Sequence, residues 1–125
     1  MVKNSFGSSA ATKSVTVDPP SPFLTFSSSA DAQVNSTYPD KNYGALGSMR
    51  VRLGDTGEFR SHLAIVVSGM AGKVLSAKLR LHVLEGSKVG GSIFSTATGW
   101  TEAGLTFSNA PAALGGALSS LGAVA

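Results

Sequence analysis

The sequence predicts an antiparallel all-β domain. From Ala30 onward, short apolar alternations recur between turn signals at about every ten residues, the spacing of a strand-and-turn sandwich or barrel. Charged residues make up only 14% of the chain against 42% hydrophobic, with 15 glycines, a composition ordinary for a turn-rich β protein and low for a helical cytosolic one. No helical window competes with these runs, and 125 residues hold one domain with a real core but not two.

Residues 1–29 are rich in Ser, Ala and Thr and contain Pro19, Pro20 and Pro22, so they read as a semi-extended arm or linker ahead of a domain at 30–125. Val15-Thr16-Val17 and Phe23-Leu24-Thr25-Phe26 can each add a short strand. The first domain strand is expected over residues 31–34, and Tyr38 to Gly44 forms a long polar turn, because Pro, Asp, Asn and Gly each favour bends. Met49-Arg-Val-Arg-Leu53 follows as a strand with Arg50 and Arg52 on one side and the apolar residues on the other. Gly54-Asp-Thr-Gly57 turns the chain into a strand over residues 59–67. There Leu63, Ile65 and Val67 share one face, and His62, Ala64 and Val66 the opposite one.

After a loop at residues 68–72, Ala77-Lys-Leu-Arg-Leu-His-Val83 is the cleanest alternation in the chain, with Leu79, Leu81 and Val83 inward and Lys78, Arg80 and His82 outward. A turn at residues 86–91 leads to a short strand at 92–95. Residues 98–111 then concentrate the one tryptophan, Trp100, with two glycines, a strand-like Leu105-Thr106-Phe107 and the Ser108-Asn109-Ala110-Pro111 stop. Past Glu102 no side chain is charged, and the last 14 residues are mostly Ala, Gly, Leu and Ser. A free apolar tail of this kind invites association.

Several function classes are excluded or weakened by composition. With no cysteine there is neither a disulfide framework nor a thiolate metal site. The formal charge of +3 falls short of a nucleic-acid binder's dense Lys/Arg content. The N-terminal residues have no apolar stretch of the kind a secretory signal needs, and no window spans a membrane; an exported form would carry its signal outside these residues.

In order along the chain, Asp31-Ala-x-Val34, Pro39-Asp-x-Asn-Tyr-Gly44, a Met/Leu-x-Val strand, Arg60-Ser-x-Leu63, Val67-Ser-Gly69, Ser76-Ala-x-Leu-Arg-Leu81 and Trp100-Thr-Glu-x-Gly-Leu-Thr-Phe-x-Asn-Ala-Pro111 together resemble the DNRLRE-type domains grouped as carbohydrate-binding module family 96. The resemblance covers roughly residues 30–125 and lies in the ordered set of motifs. It implies a jelly-roll-like antiparallel β-sandwich from a secreted or cell-surface bacterial protein, bearing on polysaccharide binding without catalysis. Two departures stand out. The family usually has an aromatic where His62 stands and an acidic or polar residue near Val66, and it continues into further strands beyond the Asn-Ala-Pro turn. The second departure predicts a truncated module, or one completed by the arm or by a partner's strand.

Trp100 carries two readings: a stacking platform for a pyranose ring, whose C–H face packs on indole, or a loop anchor, which its place in a motif serving the whole resembled family favours. Glu102 is suited to pin that loop. Asp31, Asp40 and Asn42 are the candidate calcium ligands, since hard cations want clustered oxygens, against plain Asx-turn bonding. Arg50, Arg52, Arg60, Lys78 and Arg80 would make one basic sheet face if their strands are neighbours, a surface suited to an acidic polysaccharide through two-point guanidinium–carboxylate contacts; the alternative is ordinary solvated strand exteriors. His62 and His82, at positions read as solvent-facing, count as surface residues rather than a base or ligands. No facing carboxylate pair or nucleophile elbow declares an enzyme. The expected function is a non-catalytic carbohydrate-binding module, and the alternative is an assembly or adhesive domain that exchanges strands with its neighbours.

Overall fold

The computed structural model describes residues 23–125, and within them every regular element is a β-strand and every ladder antiparallel. The strand expectation at residues 15–17 and most of the arm lie outside the described residues. The described residues divide into two compact units, Ser28–Ile65 with Val83–Ala125, and Val66–His82 with the described residues up to Ser27.

The first of these holds all five strands found among the described residues. Ala30–Asn35 (β1), Arg52–Gly54 (β2) and Gly57–Ala64 (β3) form a three-stranded sheet in the order β1-β3-β2. Gly91–Ile93 (β4) pairs with Ser119–Leu121 (β5) in a second, two-stranded sheet. The hairpin between β2 and β3 closes over Asp55 and Thr56, with Gly54 opposite Gly57. Gly57 is obligatory there for two reasons: its φ of +117° lies in the region that L side chains avoid, and a Cβ would come within 2.5 Å of Thr37 Oγ1.

Residues directly opposite in an antiparallel pair project from the same face, so the register fixes which side chains meet. Ala32 pairs with His62 and Val34 with Arg60. Ala32 and Val34 are fully buried, and with Leu105 they make the core, against which Trp100, Phe107 and Ala110 pack. The opposite face carries Gln33 and Asn35, both buried polar residues. Gln33 Oε1 accepts the Arg50 N–H at 3.0 Å, and the Ser61 hydroxyl donates to the Arg50 carbonyl at 2.7 Å.

Those two bonds explain why the strand expected over residues 49–53 is shortened to Arg52–Gly54. Around Arg50 the backbone bonds to side chains of β1 and β3 instead of continuing the ladder. The strand expected over residues 59–67 likewise ends at Ala64, leaving Ile65, Val66 and Val67 exposed.

Three further expectations are corrected. Residues 77–83, the cleanest alternation, form no ladder, and Leu79 and Leu81 are exposed at 45% and 47%; alternation supplies a strand with a face but not with a partner. Leu105 to Phe107 is not a strand but part of a succession of turns. The uncharged tail is tied down: β5 pairs with β4, the Ser92 and Ser120 hydroxyls bond at 2.8 Å, and isolated bridges join Ser87 to Val124 and Thr96 to Ala113.

Candidate functional site at the Trp100 segment

Residues 97–111 lie over the Ala32/Val34 face of the sheet without being part of it, so side-chain hydrogen bonds hold their shape. Thr101 opens the segment as a cap, its carbonyl accepting the Leu105 N–H at 2.9 Å and its hydroxyl oxygen accepting the Gly104 N–H at 3.1 Å. Asn109 staples the other end, with Oδ1 accepting from Thr106 N at 2.8 Å and Nδ2 donating to the Gly104 carbonyl at 2.9 Å. Both loops therefore satisfy their own backbone groups while Leu105 is driven into the core.

The segment is then fastened to the start of the module. Glu102 Oε1 accepts the Asp31 N–H at 2.9 Å, which makes it the pin expected of it. Asn42 Nδ2 donates to the carbonyls of Glu102 and Leu105, both at 2.8 Å, while its Oδ1 accepts from Gly44 N at 3.1 Å. Ser108 donates through its hydroxyl to Asp40 Oδ1 at 2.7 Å and through its N–H to the Pro39 carbonyl at 2.9 Å. Gly44 sits so close that a Cβ would collide with the Glu102 carbonyl.

Trp100 stands half-buried between this knot and solvent. One side packs on the core; the other walls a cleft of about 400 Å³ completed by Gly99, Thr101, Gly104, Asn109 and Pro111 together with Ala97 and Leu105. The indole N–H takes no hydrogen bond among the described residues. His62 meets the indole edge-on, with ring centroids 5.8 Å apart and planes at 74°. It is 8% exposed, so the surface placement expected for it is overturned. The alternation misled because the Leu63 parity is more apolar, whereas the face that becomes buried is the one residues 100–110 cover. Burial first, and then the neighbouring Arg60 guanidinium, lower the His62 pKa, opposed by a hydrogen bond between the ring and the Pro111 backbone.

The five basic residues do not share one surface. Arg52 lies opposite Phe59 while Arg60 lies opposite Val34, and adjacent residues of one strand face opposite ways. Arg52 and Arg60 therefore occupy opposite faces. Arg60 is also engaged, paired to Glu58 through Nε–Oε1 at 2.5 Å and Nη2–Oε2 at 3.1 Å and lying 5.1 Å from the Phe107 ring centroid. Arg50 lies 6.0 Å from the Phe59 ring centroid, on the Arg52 side. Lys78 and Arg80 are exposed, on no strand, in the other unit. Of the residues singled out for calcium, Asn42 and Asp40 join the knot through their side chains and Asp31 through its backbone N–H. Among the described residues no three His, Asp or Glu side chains gather as a cation cluster.

The cleft beside Trp100 is thus walled by turns that side-chain hydrogen bonds fasten to a small antiparallel β module. The family model of carbohydrate-binding module family 96 matches residues 22–125, and the chain belongs to that family. No curated protein and no solved structure matches it.

Proposed function

We propose that this chain is a non-catalytic module of an extracellular or cell-surface protein that holds a polysaccharide in the cleft beside Trp100, with residues 30–125 as the binding domain and 1–29 as its arm. The half-buried indole carries this reading: it offers an apolar face of the kind a pyranose C–H surface stacks on, and its N–H has no hydrogen bond among the described residues. The knot beneath supplies the rigidity that keeps ordering costs low on binding. Family membership supports the carbohydrate class of ligand.

A second reading is favoured by Arg50 and Arg52, both exposed and without an ion-pair partner among the described residues. These two guanidinium groups suit the carboxylates of an acidic polysaccharide on the face opposite the cleft. Affinity-gel retention separates the two. Trp100→Ala is expected to lower retention on neutral and acidic polysaccharide gels by at least about tenfold, the loss of a 1.4 kcal/mol contact. The Arg50→Ser/Arg52→Ser double variant is expected to change retention on alginate or pectate only. Retention unchanged by Trp100→Ala removes the cleft from the binding site.

A further inference from the structure

His62 Nδ1 is the one buried side-chain nitrogen or oxygen among the described residues that has no hydrogen-bond partner. Burial and the neighbouring Arg60 guanidinium disfavour the charged form of the ring, opposed by the Pro111 backbone, and Nδ1 meets no polar group that would hold a proton there. Both neighbours that fix the ring, Trp100 and Pro111, are walls of the cleft.

Protonation would place an N–H with no acceptor in a closed site and set a second positive charge beside Arg60. The surrounding charges do not offset it. On its own strand, Glu58 is already paired to Arg60. From β1, Asp31 lies opposite Leu63 and so projects from the other face; Arg52 of β2 does the same. Residues 97–111 hold a single ionisable side chain, Glu102, and its carboxylate is held by the Asp31 N–H. The ring's relief is to move toward water, and that displaces the indole it supports.

We infer that His62 is a positioning residue for Trp100, and that its protonation unseats the indole wall so that the module releases its ligand in mildly acidic surroundings. The release rests on the cleft being the sugar site, whereas the positioning does not. The chain's one tryptophan makes the positioning readable without ligand. On titration of the full chain from pH 8 to 5, Trp100 emission is expected to shift to the red and acrylamide quenching to rise, with a midpoint below the ordinary histidine value. His62→Phe keeps an aromatic edge but cannot titrate, and its emission is expected to stay flat. Should that variant not fold by circular dichroism, His62→Gln takes its place. A flat wild-type profile, or the same transition in the folded variant, overturns the positioning role. Retention on the polysaccharide gel is expected to drop about tenfold between pH 7.5 and 5 in the wild type and to hold in the variant. An emission transition with retention unchanged overturns the release and leaves the positioning standing. If Trp100→Ala retains polysaccharide normally at pH 7.5, the proposed binding site fails independently of the emission result.

Discussion

Residues 97–111 and residues 66–82 make an instructive pair. The first stretch has little alternation and no ladder, yet it puts Leu105 at 1% exposure in the core and is held by six side-chain hydrogen bonds from Asn42, Glu102, Ser108 and Asn109. The second has the sequence pattern of a strand in residues 77–82, and its apolar side chains Met70, Val74, Leu75, Leu79 and Leu81 are all exposed. Order in this chain follows from polar groups that find partners. Hydrophobic alternation by itself does not supply them, because a strand is stabilised by a neighbour's backbone and a core face, neither of which is local information.

Core truncation gives the largest expected contrast. Leu105→Ala is expected to cost about 3 kcal/mol, the usual loss for a leucine whose cavity cannot collapse, while Leu79→Ala is expected to lie within about 0.5 kcal/mol of wild type. Urea unfolding midpoints of the two variants check this, and equal losses would erase the distinction between the regions. Asn42→Ala is expected to come next, at about 2 kcal/mol, because two carbonyls lose their donor and Gly44 N its acceptor. In hydrogen exchange the same variant is expected to speed exchange of the Gly44 N–H, whose acceptor it removes, and to leave residues 66–82 as they were.

The smallest effect is a pH dependence. The folded-state pKa of His62 is lowered, so its contribution is fully present above the unfolded value of about 6.5 and is lost as the pH falls through the folded value, where the unfolded chain binds the proton more readily. Stability is therefore expected to decline between pH 7 and pH 5 more steeply in the wild type than in His62→Phe, as read from unfolding midpoints at each pH.

The sequence was legible where a residue's local chemistry decides its role. The all-β class, the turn at residues 54–57, the Glu102 pin and the family itself could all be read from residues 30–111. The strand limits could not, because the backbone at Arg50 is captured by Gln33 and Ser61 from strands distant in sequence. A single basic face failed for a simpler reason. Arg50, Arg52 and Arg60 have the same parity in sequence, but the hairpin register sets Arg52 opposite Phe59 and so moves Arg60 to the other side. His62 was misplaced because the more apolar parity of its strand is not the covered one. The signal that could have found it lies in the departure itself: a histidine where the resemblance leads one to expect an aromatic is a ring in an aromatic's packing position, and it meets the Trp100 edge.

The most direct test is the Trp100 indole N–H resonance, a single peak in a ¹H–¹⁵N spectrum because the chain has one tryptophan. On titration with polysaccharide fragments that the affinity gels retain, this peak is expected to move saturably together with the amides of Gly99, Thr101 and Asn109. Saturable shifts confined to Arg50, Arg52 and their neighbours, with the indole peak unmoved, would contradict the cleft as the binding site.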